Sequence, residues 1–296
     1  MTDKIKVERH GPVTVLRLDD AETMNALTSA MALELRDLLQ HEAQTARAIV
    51  LAGSPRAFSA GANLKQGTIE SGKELDAGAA LENAYNPLMM TLRDLPVPVV
   101  SAVQGAVAGV GASIALACDV IVAGRDAYFL EAFARIGLIP DGGATWLLTR
   151  AVGRVRAMEM MLLAEKIPAP TAFDWGLVTR LVENDAVDAT ALEIAIKLAN
   201  GPVRSLALIR KAAWSAADTD FDTALANERK WQKEAGNTPD FKEGVAACGC
   251  RSRGNESMIC AVVALKGFDH VPPPHRRCSF GRSGCLPVAE RPRKHH

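Results

Sequence analysis

The sequence has few of the features that mark membrane or secreted proteins. Of its six cysteines, only Cys118 precedes residue 248, and it lies among apolar residues, as an inert core cysteine would. No apolar run approaches the ~20 residues that a membrane span needs, and the first residues lack the apolar segment of a secretory signal. These absences predict a cytoplasmic protein without a membrane partner.

Two common nucleotide-binding motifs are also absent. No segment matches Gly-x-x-x-x-Gly-Lys-Ser/Thr, which excludes a P-loop of that type. The pair Gly109 and Gly111 lacks the third glycine of the dinucleotide-binding turn, and no acidic ribose partner is evident. A nucleotide fold of either kind is therefore unsupported.

The formal net charge of zero combines two unlike pieces of chain. Residues 1–247 carry 25 Lys and Arg against 31 Asp and Glu, a net charge of −6, whereas residues 248–296 carry 9 against 3, a net charge of +6. Five cysteines and four histidines lie in the second piece, at spacings that fit no zinc site. We expect residues 248–296 to be an atypical basic, Cys-rich tail that is out of reading frame or disordered; the alternative is a basic interaction tail.

Hydrophobic periodicity upstream of the tail predicts an α/β core with parallel strand pairing. Alternation predicts a β-hairpin over residues 4–18, and Thr28 or Ser29 can cap a helix that runs to Leu39. Further strands are predicted at 48–52, 97–103 and 119–123, and helices at 111–118, 146–152, 155–163, 171–175, 187–199, 202–217 and 221–233. The polar, glycine-rich stretch 66–87 predicts a mobile loop.

Two turns rich in small residues carry the main functional signal. The first, 57–65, follows the apolar strand 48–52, and the second, 104–119, leads into an apolar helix. Small residues leave backbone N–H groups uncovered, and a helix N-terminus entered through glycines offers free donors to an anion or a developing oxyanion. Either turn alone could serve only for tight packing. Together they could polarise one carbonyl oxygen from two sides.

These two segments resemble the signature segments of the crotonase (enoyl-CoA hydratase/isomerase) superfamily. Further matches follow in the same order, at Asn25–Leu27, Pro96–Gly105, Ile136–Thr145 and Ala172–Val178. The resemblance covers about residues 4–247. It implies a spiral of ββα units over residues 1–200 and a helical trimerisation region over residues 201–247. It also implies a homotrimer or hexamer.

Apolar residues on the later helices agree with such an assembly, because they exceed what one core of this size needs. They are Ala195, Leu198, Leu206, Leu208, Ile209 and Trp214.

The resemblance also implies how an acyl-CoA substrate would be held. The backbone N–H groups of Ala62 and Val110 would form an oxyanion hole for the thioester carbonyl oxygen. Coenzyme A, as part of the substrate, and the acyl group would contact Met24, Ala26, Arg56, Ala60, Asn63, Leu64, Lys65, Gly109, Phe133 and Pro140. No metal, flavin or nicotinamide is implied, and neither is a nucleic-acid partner.

The acid and base groups decide which reaction such a site performs. Hydratases of the superfamily use two glutamates, because water must be both activated and protonated onto carbon. The matching positions here hold Ser113 and Phe133. Glu131 lies two residues out of register, and we expect it to face solvent or an ion pair.

One carboxylate, Asp141, remains well placed. Pro-Asp-Gly is a favoured turn sequence, so Asp141 could be purely structural. However, the run 137–153 is most similar to the branch of 1,2-epoxyphenylacetyl-CoA isomerases and Δ3,Δ2-enoyl-CoA isomerases, which carry a lone carboxylate in this motif. The resemblance therefore implies isomerisation of an enoyl-CoA or ring-epoxide acyl-CoA, with Asp141 as a base of raised pKa. The alternatives are an enoyl-CoA hydratase that recruits Glu131, and a non-catalytic acyl-CoA-binding protein.

Overall fold

The computed structural model describes residues 3–64 and 76–251, with side chains as far as Ala247. The strands are β1 (Ile5–His10), β2 (Val13–Leu18), β3 (Ala48–Ala52), β4 (Ala57–Ser59), β5 (Val99–Val103), β6 (Ala106–Ala108), β7 (Val120–Gly124), β8 (Tyr128–Leu130), β9 (Ile167–Pro168) and β10 (Arg180–Val182). The helices are α1 (Ser29–Glu42), α2 (Asn86–Asp94), α3 (Val110–Leu116), α4 (Ala144–Ala151), α5 (Gly153–Leu163), α6 (Ala169–Asp174), α7 (Val187–Ala199), α8 (Val203–Ala216), α9 (Phe221–Ala235) and α10 (Pro239–Arg251). A π-helical turn (Leu81–Tyr85) precedes α2, and short 3-10 helices cover Ala132–Ile136 and Asn184–Ala186.

The larger sheet has the strand order β1-β2-β3-β5-β7-β10. Its first pair is the predicted antiparallel hairpin, and every later pair is parallel. Because side chains alternate along a strand, β3 turns Val50 towards α7 and its neighbours Ile49 and Leu51 into the main core. Burial on both faces explains why β3 is apolar throughout.

The smaller sheet has the order β4-β6-β8-β9 and brings the functional turns together. Successive chain segments add one strand to each sheet, since β3, β5 and β7 lie in the larger sheet and β4, β6 and β8 follow in the smaller one. This arrangement agrees with the predicted spiral of ββα units. The strands β4, β6 and β8 are mutually parallel, so their carboxyl ends lie along one edge of the smaller sheet.

The predicted first helix is confirmed, together with its cap. The Thr28 side chain accepts a hydrogen bond from the N–H of Met31 at 3.1 Å, and α1 starts at Ser29. The helix buries Leu35 and Leu39 in the main core. A threonine before an apolar 3.6-residue repeat was a sufficient local signal for this element.

The predicted mobile loop over residues 66–87 is wrong in its last part. Its first part, residues 66–75, lies outside the described residues, but residues 81–94 are helical. Tyr85, Leu88 and Leu92 are buried on one side of this segment. The glycines and polar residues that suggested a loop precede the helix, and a helical repeat begins where they end.

Some apolar residues of the later helices, which were expected to form subunit contacts, are buried in the core of the chain itself. Ala195 is fully buried where α7 packs on the larger sheet, and Leu208 is buried as well. These two residues therefore do not supply the surplus apolar surface that was expected of them. Ile209, by contrast, is 62% exposed.

The last described helix, α10, continues to Arg251, past residue 247 where the helical region was expected to end. By their contacts, the described residues up to 250 form one compact unit. The division at residue 200 stays a prediction, as does the nature of the basic tail, of which residues 252–296 lie outside the described range. Within that range, no helix combines the length and apolarity that crossing a bilayer requires.

Candidate active site

The turns that follow β4 and β6 lie side by side at the edge of the smaller sheet. Gly61 and Gly109 both adopt positive φ, of +96° and +52°. A Cβ atom on Gly61 would lie 3.0 Å from the carbonyl oxygen of Ala108, and one on Gly109 would lie 3.7 Å from the Cα of Gly61. Glycine at both positions therefore lets the two backbones approach closely in conformations that other residues rarely adopt.

The N–H groups of Ala62 and Val110 are available as donors. Leu27 N–H donates to Gly61 O at 2.7 Å, and Asn63 N–H donates to Leu27 O at 2.8 Å. The residues on either side of Ala62 are thus the ones that bond to Leu27. In such a parallel bridge, the N–H of Ala62 itself points away from Leu27. Val110 is the first residue of α3, whose first-turn N–H groups have no intrahelical acceptor. Neither N–H has a protein acceptor among the residues described.

Asn25 holds the first turn in place, a role that sequence reasoning missed. Its backbone is left-handed, with φ +57°, a conformation that asparagine adopts more readily than most residues. Its Nδ2 donates to the carbonyls of Ala57 at 2.8 Å and Phe58 at 3.2 Å, and its Oδ1 accepts from the N–H of Asp20 at 2.7 Å. The hydroxyl of Ser59 donates to the Asn25 carbonyl at 2.8 Å. Fully buried, Asn25 fixes the strand that leads into Gly61.

Asp141 lies on the loop before α4, against the first turns of α3. The Ser113 hydroxyl donates to the main-chain carbonyl of Asp141 at 2.9 Å. A Cβ atom on the next residue, Gly142, would lie 2.9 Å from Ser113 Cβ and 3.0 Å from Val110 Cγ2. Asp141 Oδ1 is buried without a hydrogen-bond partner in the described structure. Burial raises the pKa of Asp141 to about 6, so this carboxylate is ionised yet basic near neutrality.

Glu131 corrects the sequence-based expectation. It was expected to face solvent or an ion pair, but its residue is 0% exposed and neither carboxyl oxygen has a partner in the described part of the chain. Burial, and then the charge of Asp141, raise the pKa of Glu131 to about 8. The reason is tertiary: Glu131 directly follows β8, where Gly109 N–H donates to Leu130 O at 3.0 Å. The side chain is thus enclosed at the same sheet edge as the two turns.

Two aromatic side chains enclose this region. The ring of Phe133 packs against Gly109, 3.5 Å from where a Cβ atom would lie. Tyr85, from the π-helical turn before α2, donates its hydroxyl to Leu27 O at 2.8 Å. Burial, and then the charge of Asp141, raise the pKa of Tyr85 to about 12, so the phenol stays neutral. Sequence reasoning missed Tyr85 because the residue fell in the predicted loop.

Comparison with known proteins identifies the family. The family model described as enoyl-CoA hydratase/isomerase matches residues 8–249. The chain belongs to the enoyl-CoA hydratase/isomerase family. It is 40% identical over 238 residues to the 1,2-epoxyphenylacetyl-CoA isomerase of Escherichia coli, covering 79% of this chain and 91% of that protein. It is 42% identical over 243 residues to a probable enoyl-CoA hydratase of Rhodobacter capsulatus, covering 82% and 93%.

Solved structures of the enoyl-CoA hydratase/isomerase family share this fold. The crystal structure of an enoyl-CoA hydratase from a Polaromonas species matches with a TM-score of 0.78 and 31% identity, over 83% of this chain and 97% of that one. An enoyl-CoA hydratase from Mycobacterium avium subsp. paratuberculosis matches with a TM-score of 0.67 and 35% identity, over 83% and 99%. Relatives thus include both isomerases and hydratases, so family membership alone leaves the reaction open.

Several of the residues expected to contact coenzyme A lie close together. Ala60 N–H donates to Met24 O at 2.9 Å, which joins the segment of Met24 and Ala26 to the first turn. Leu64, at the end of that turn, is 63% exposed. Pro140 is partly buried beside Asp141.

The structure does not gather every coenzyme A candidate. Arg56 is exposed and lies at the opposite end of β4 from Leu64, where its carbonyl accepts from Ala106 N–H at 3.2 Å. Lys65 lies outside the described residues. A pyrophosphate role for either residue stays a prediction.

A cavity of about 670 Å³ lies between α2, α4 and α8. Gly142 and Gly143, which follow Asp141, border it, and the stacked rings of Trp146 and Trp214, 5.1 Å apart, form part of its wall. In the described residues, no group of three or more His, Cys, Asp and Glu side chains could hold a metal ion.

Proposed function

We propose that this protein isomerises acyl-CoA thioesters by moving one proton between two carbons of the acyl group, with Asp141 as the base. The observation that carries the proposal is the position of Asp141. The loop of Asp141 packs against Val110, whose N–H has no acceptor among the described residues. The Oδ1 atom of Asp141 is buried without a hydrogen-bond partner there.

The first requirement of this chemistry is a site for negative charge. In the proposal, the N–H groups of Ala62 and Val110 donate to the thioester carbonyl oxygen, which becomes the enolate oxygen when a carbon loses its proton. Main-chain donors held by a sheet edge need no reorganisation as that charge develops. Removal of one such donor typically costs about 3–4 kcal/mol of transition-state stabilisation.

The second requirement is a base that also returns the proton. For a 3-enoyl thioester, the Asp141 carboxylate takes a proton from the α-carbon, and the electron pair is delocalised onto the thioester oxygen and the γ-carbon. The same carboxyl group then gives the proton to the γ-carbon, which leaves a 2-enoyl thioester. Asp141 ends the cycle ionised, as it began, and no metal, flavin or nicotinamide is needed.

Hydration is the second candidate, because Glu131 supplies another carboxyl group near Asp141. A hydratase needs one group to activate water and another to protonate carbon. Glu131 is 0% exposed, however, and the two positions where hydratases of this family carry glutamates hold Ser113 and Phe133. Ser113 is engaged with the carbonyl of Asp141 at 2.9 Å. These observations favour isomerisation.

The test compares Asp141→Asn with the wild-type enzyme on 3-enoyl-CoA substrates and on a ring-epoxide acyl-CoA. The asparagine keeps the size of the side chain but cannot take the proton, so turnover should fall by about 10²- to 10⁴-fold. Acyl-CoA affinity should change little. Exchange of the substrate α-proton in D2O provides a second readout of the same step.

Asp126→Asn is the matched control, because Asp126 is an exposed aspartate in the turn after β7. It should retain full turnover. Retained turnover in Asp141→Asn would contradict the proposal. Rapid hydration of crotonyl-CoA by the wild type would favour the hydratase, and tight acyl-CoA binding without turnover on any of these substrates would favour a non-catalytic binding protein.

We also propose that the enzyme is a homotrimer or a hexamer, as in its superfamily. The support within this chain is apolar surface left exposed on the helical part. Val155 and Leu162 of α5 are 78% and 64% exposed, and Phe221 of α9 is 75% exposed. Large apolar side chains left exposed on helices in this way are candidates for subunit contacts.

A further inference from the structure

Glu131 occupies the third strand end at the edge that carries the proposed oxyanion donors. The parallel strands β4, β6 and β8 end side by side, and they are followed by the turn of Ala62, the turn of Val110 and Glu131. The bond from Gly109 N–H to Leu130 O, 3.0 Å long, fixes the start of Glu131 next to the second turn. The carboxyl group of Glu131 therefore lies at the same sheet edge as the proposed oxyanion donors. It is at neither of the two positions where hydratases carry glutamates.

A second buried glutamate shows what is unusual about Glu131. Glu42 is 2% exposed, but its carboxylate accepts from the Arg9 guanidinium at 2.5 and 3.0 Å and from the Thr14 hydroxyl at 3.0 Å. Burial alone would raise the pKa of Glu42, and these partners lower it overall. Glu131 is more buried and has no such partner in the described structure. A buried carboxyl group without a donor is most stable when it is protonated.

Asp141 completes a pair of unequal carboxyl groups. Each has a buried oxygen without a partner, and the charge of Asp141 acts on Glu131. Because like charges in one enclosed site disfavour each other, one proton is retained by the pair near neutrality. The greater burial of Glu131 assigns that proton to it and leaves Asp141 ionised.

We propose that Glu131 is a positioning residue for the isomerisation proposed above. It is a neutral carboxylic acid, held at the edge of the oxyanion site, that acts through Asp141 by adding no second negative charge beside the base. The inference rests on the proposed role of Asp141. When Asp141 takes the substrate proton, its charge passes to the enolate oxygen, and the site still carries a single charge. Glu131 keeps its own proton throughout the cycle.

Ionisation of Glu131 would place a second negative charge beside the base and the enolate. Two ionisable groups described on neighbouring elements do not offset it. Tyr85, on which the charge of Asp141 acts, stays neutral, and the Arg135 guanidinium, on the 3-10 helix after Glu131, donates to Ala164 O instead. Turnover should therefore fall as the pH rises through the pKa of Glu131.

The experiment measures the pH dependence of kcat for the full-length wild type, Glu131→Gln and the control Glu42→Gln. Wild type and Glu42→Gln should lose activity as the pH rises through about 8 and should then level off at the slower rate of the doubly ionised site. Glu131→Gln should keep its activity at about pH 7 within a few-fold, because glutamine is neutral and isosteric, and should lack this alkaline decline. An unchanged decline in Glu131→Gln would overturn the proposal. So would a loss of more than about 100-fold at pH 7, since it would mean that the carboxyl group itself reacts.

Infrared difference spectroscopy tests the protonation state without any substrate. At pH 7, wild type and Glu42→Gln should show a protonated-carboxyl band that Glu131→Gln lacks. In Asp141→Asn, the titration of that band should move to lower pH, because the neighbouring charge is gone. Absence of the band in the wild type would overturn the proposal. If the band is present but no isomerisation occurs, the proposed function has failed and the assignment of the proton to Glu131 stands.

Discussion

Glu131, which follows β8 at the edge of the smaller sheet, is coupled through charge to Asp141 on the loop before α4, and the two carboxyl groups differ in their protonation. Burial raises the pKa of both, to about 8 for Glu131 and about 6 for Asp141, and the charge of Asp141 adds to the shift at Glu131. Between these two values the pair holds one proton. Different surroundings can move the pKa values of two carboxyl groups apart, so that one is a neutral acid while its neighbour is an ionised base.

The fall in turnover at acidic pH should reflect protonation of Asp141. The base works only when it is ionised, so turnover should be full between about pH 6 and about pH 8 and should fall by about tenfold per unit below about pH 6. Exchange of the substrate α-proton, followed by mass spectrometry, measures this step directly. Glu131→Gln should show the same fall at acidic pH. A rate that stays flat well below pH 5 would show that another group is the base.

The close approach of the two turns can be tested at Gly109. Gly109→Ala should strain a backbone with φ +52° and ψ −132°, while its Cβ atom would only touch the ring of Phe133, at 3.5 Å. We expect a loss of stability of about 1–3 kcal/mol and, because the N–H of Val110 moves, a fall in kcat of about 10²-fold or more.

The control is Gly11→Ala, in the turn between β1 and β2. Gly11 also has positive φ, of +59°, and nothing lies within 4 Å of a Cβ atom there. Its replacement should cost about 1–2 kcal/mol of stability and leave kcat unchanged. Equal kcat values for Gly109→Ala and Gly11→Ala would mean that the second turn has no role in catalysis.

The burial of Glu131 should reduce stability in a pH-dependent way. Its pKa is raised from 4.5 to about 8, so in that interval the folded protein holds a proton that the unfolded chain releases. The free energy of unfolding should therefore fall with rising pH, by about 1.4 kcal/mol per unit, and the loss should be complete above about pH 8. Glu131→Gln lacks this loss, so its advantage over the wild type should grow between about pH 5 and about pH 8.

Glu42→Gln should behave in the opposite way. The lowered pKa of Glu42 means that its contribution is present above the ordinary value and is lost in acid. This variant should be less stable than the wild type near neutrality, and the difference should shrink as the pH falls. Urea denaturation of the three proteins at several pH values measures both trends. Parallel curves for the wild type and Glu131→Gln would mean that Glu131 is not held neutral.

Assembly should not depend on the basic tail. The described helical part ends with α10 at Arg251, so we expect the full chain and a 1–251 truncation to form the same trimer or hexamer. Light scattering should give at least three times the 31.5 kDa of one chain for the full protein. A monomeric truncation would assign a structural role to the residues that were removed.

The sequence by itself determined five of the six strands of the larger sheet, most of the helices and the two turns, and it missed β10. Strands such as β3 and helices such as α1 carry their own period of apolar residues, and small residues mark where backbone donors stay uncovered. The family resemblance singled out Asp141, through a short motif on one loop. These features are local, so a linear pattern contains them.

Only the tertiary structure decided the surroundings of Asp141. The strands β4, β6 and β8 have three residues each, too few for a period, and they exist because they pair with one another. Their common edge encloses Glu131, which its position in the sequence had suggested was exposed. Tyr85 reaches the same region from a helix that looked like a loop. Burial and proximity depend on neighbours from distant parts of the chain, and those two quantities set the pKa values on which the chemistry depends.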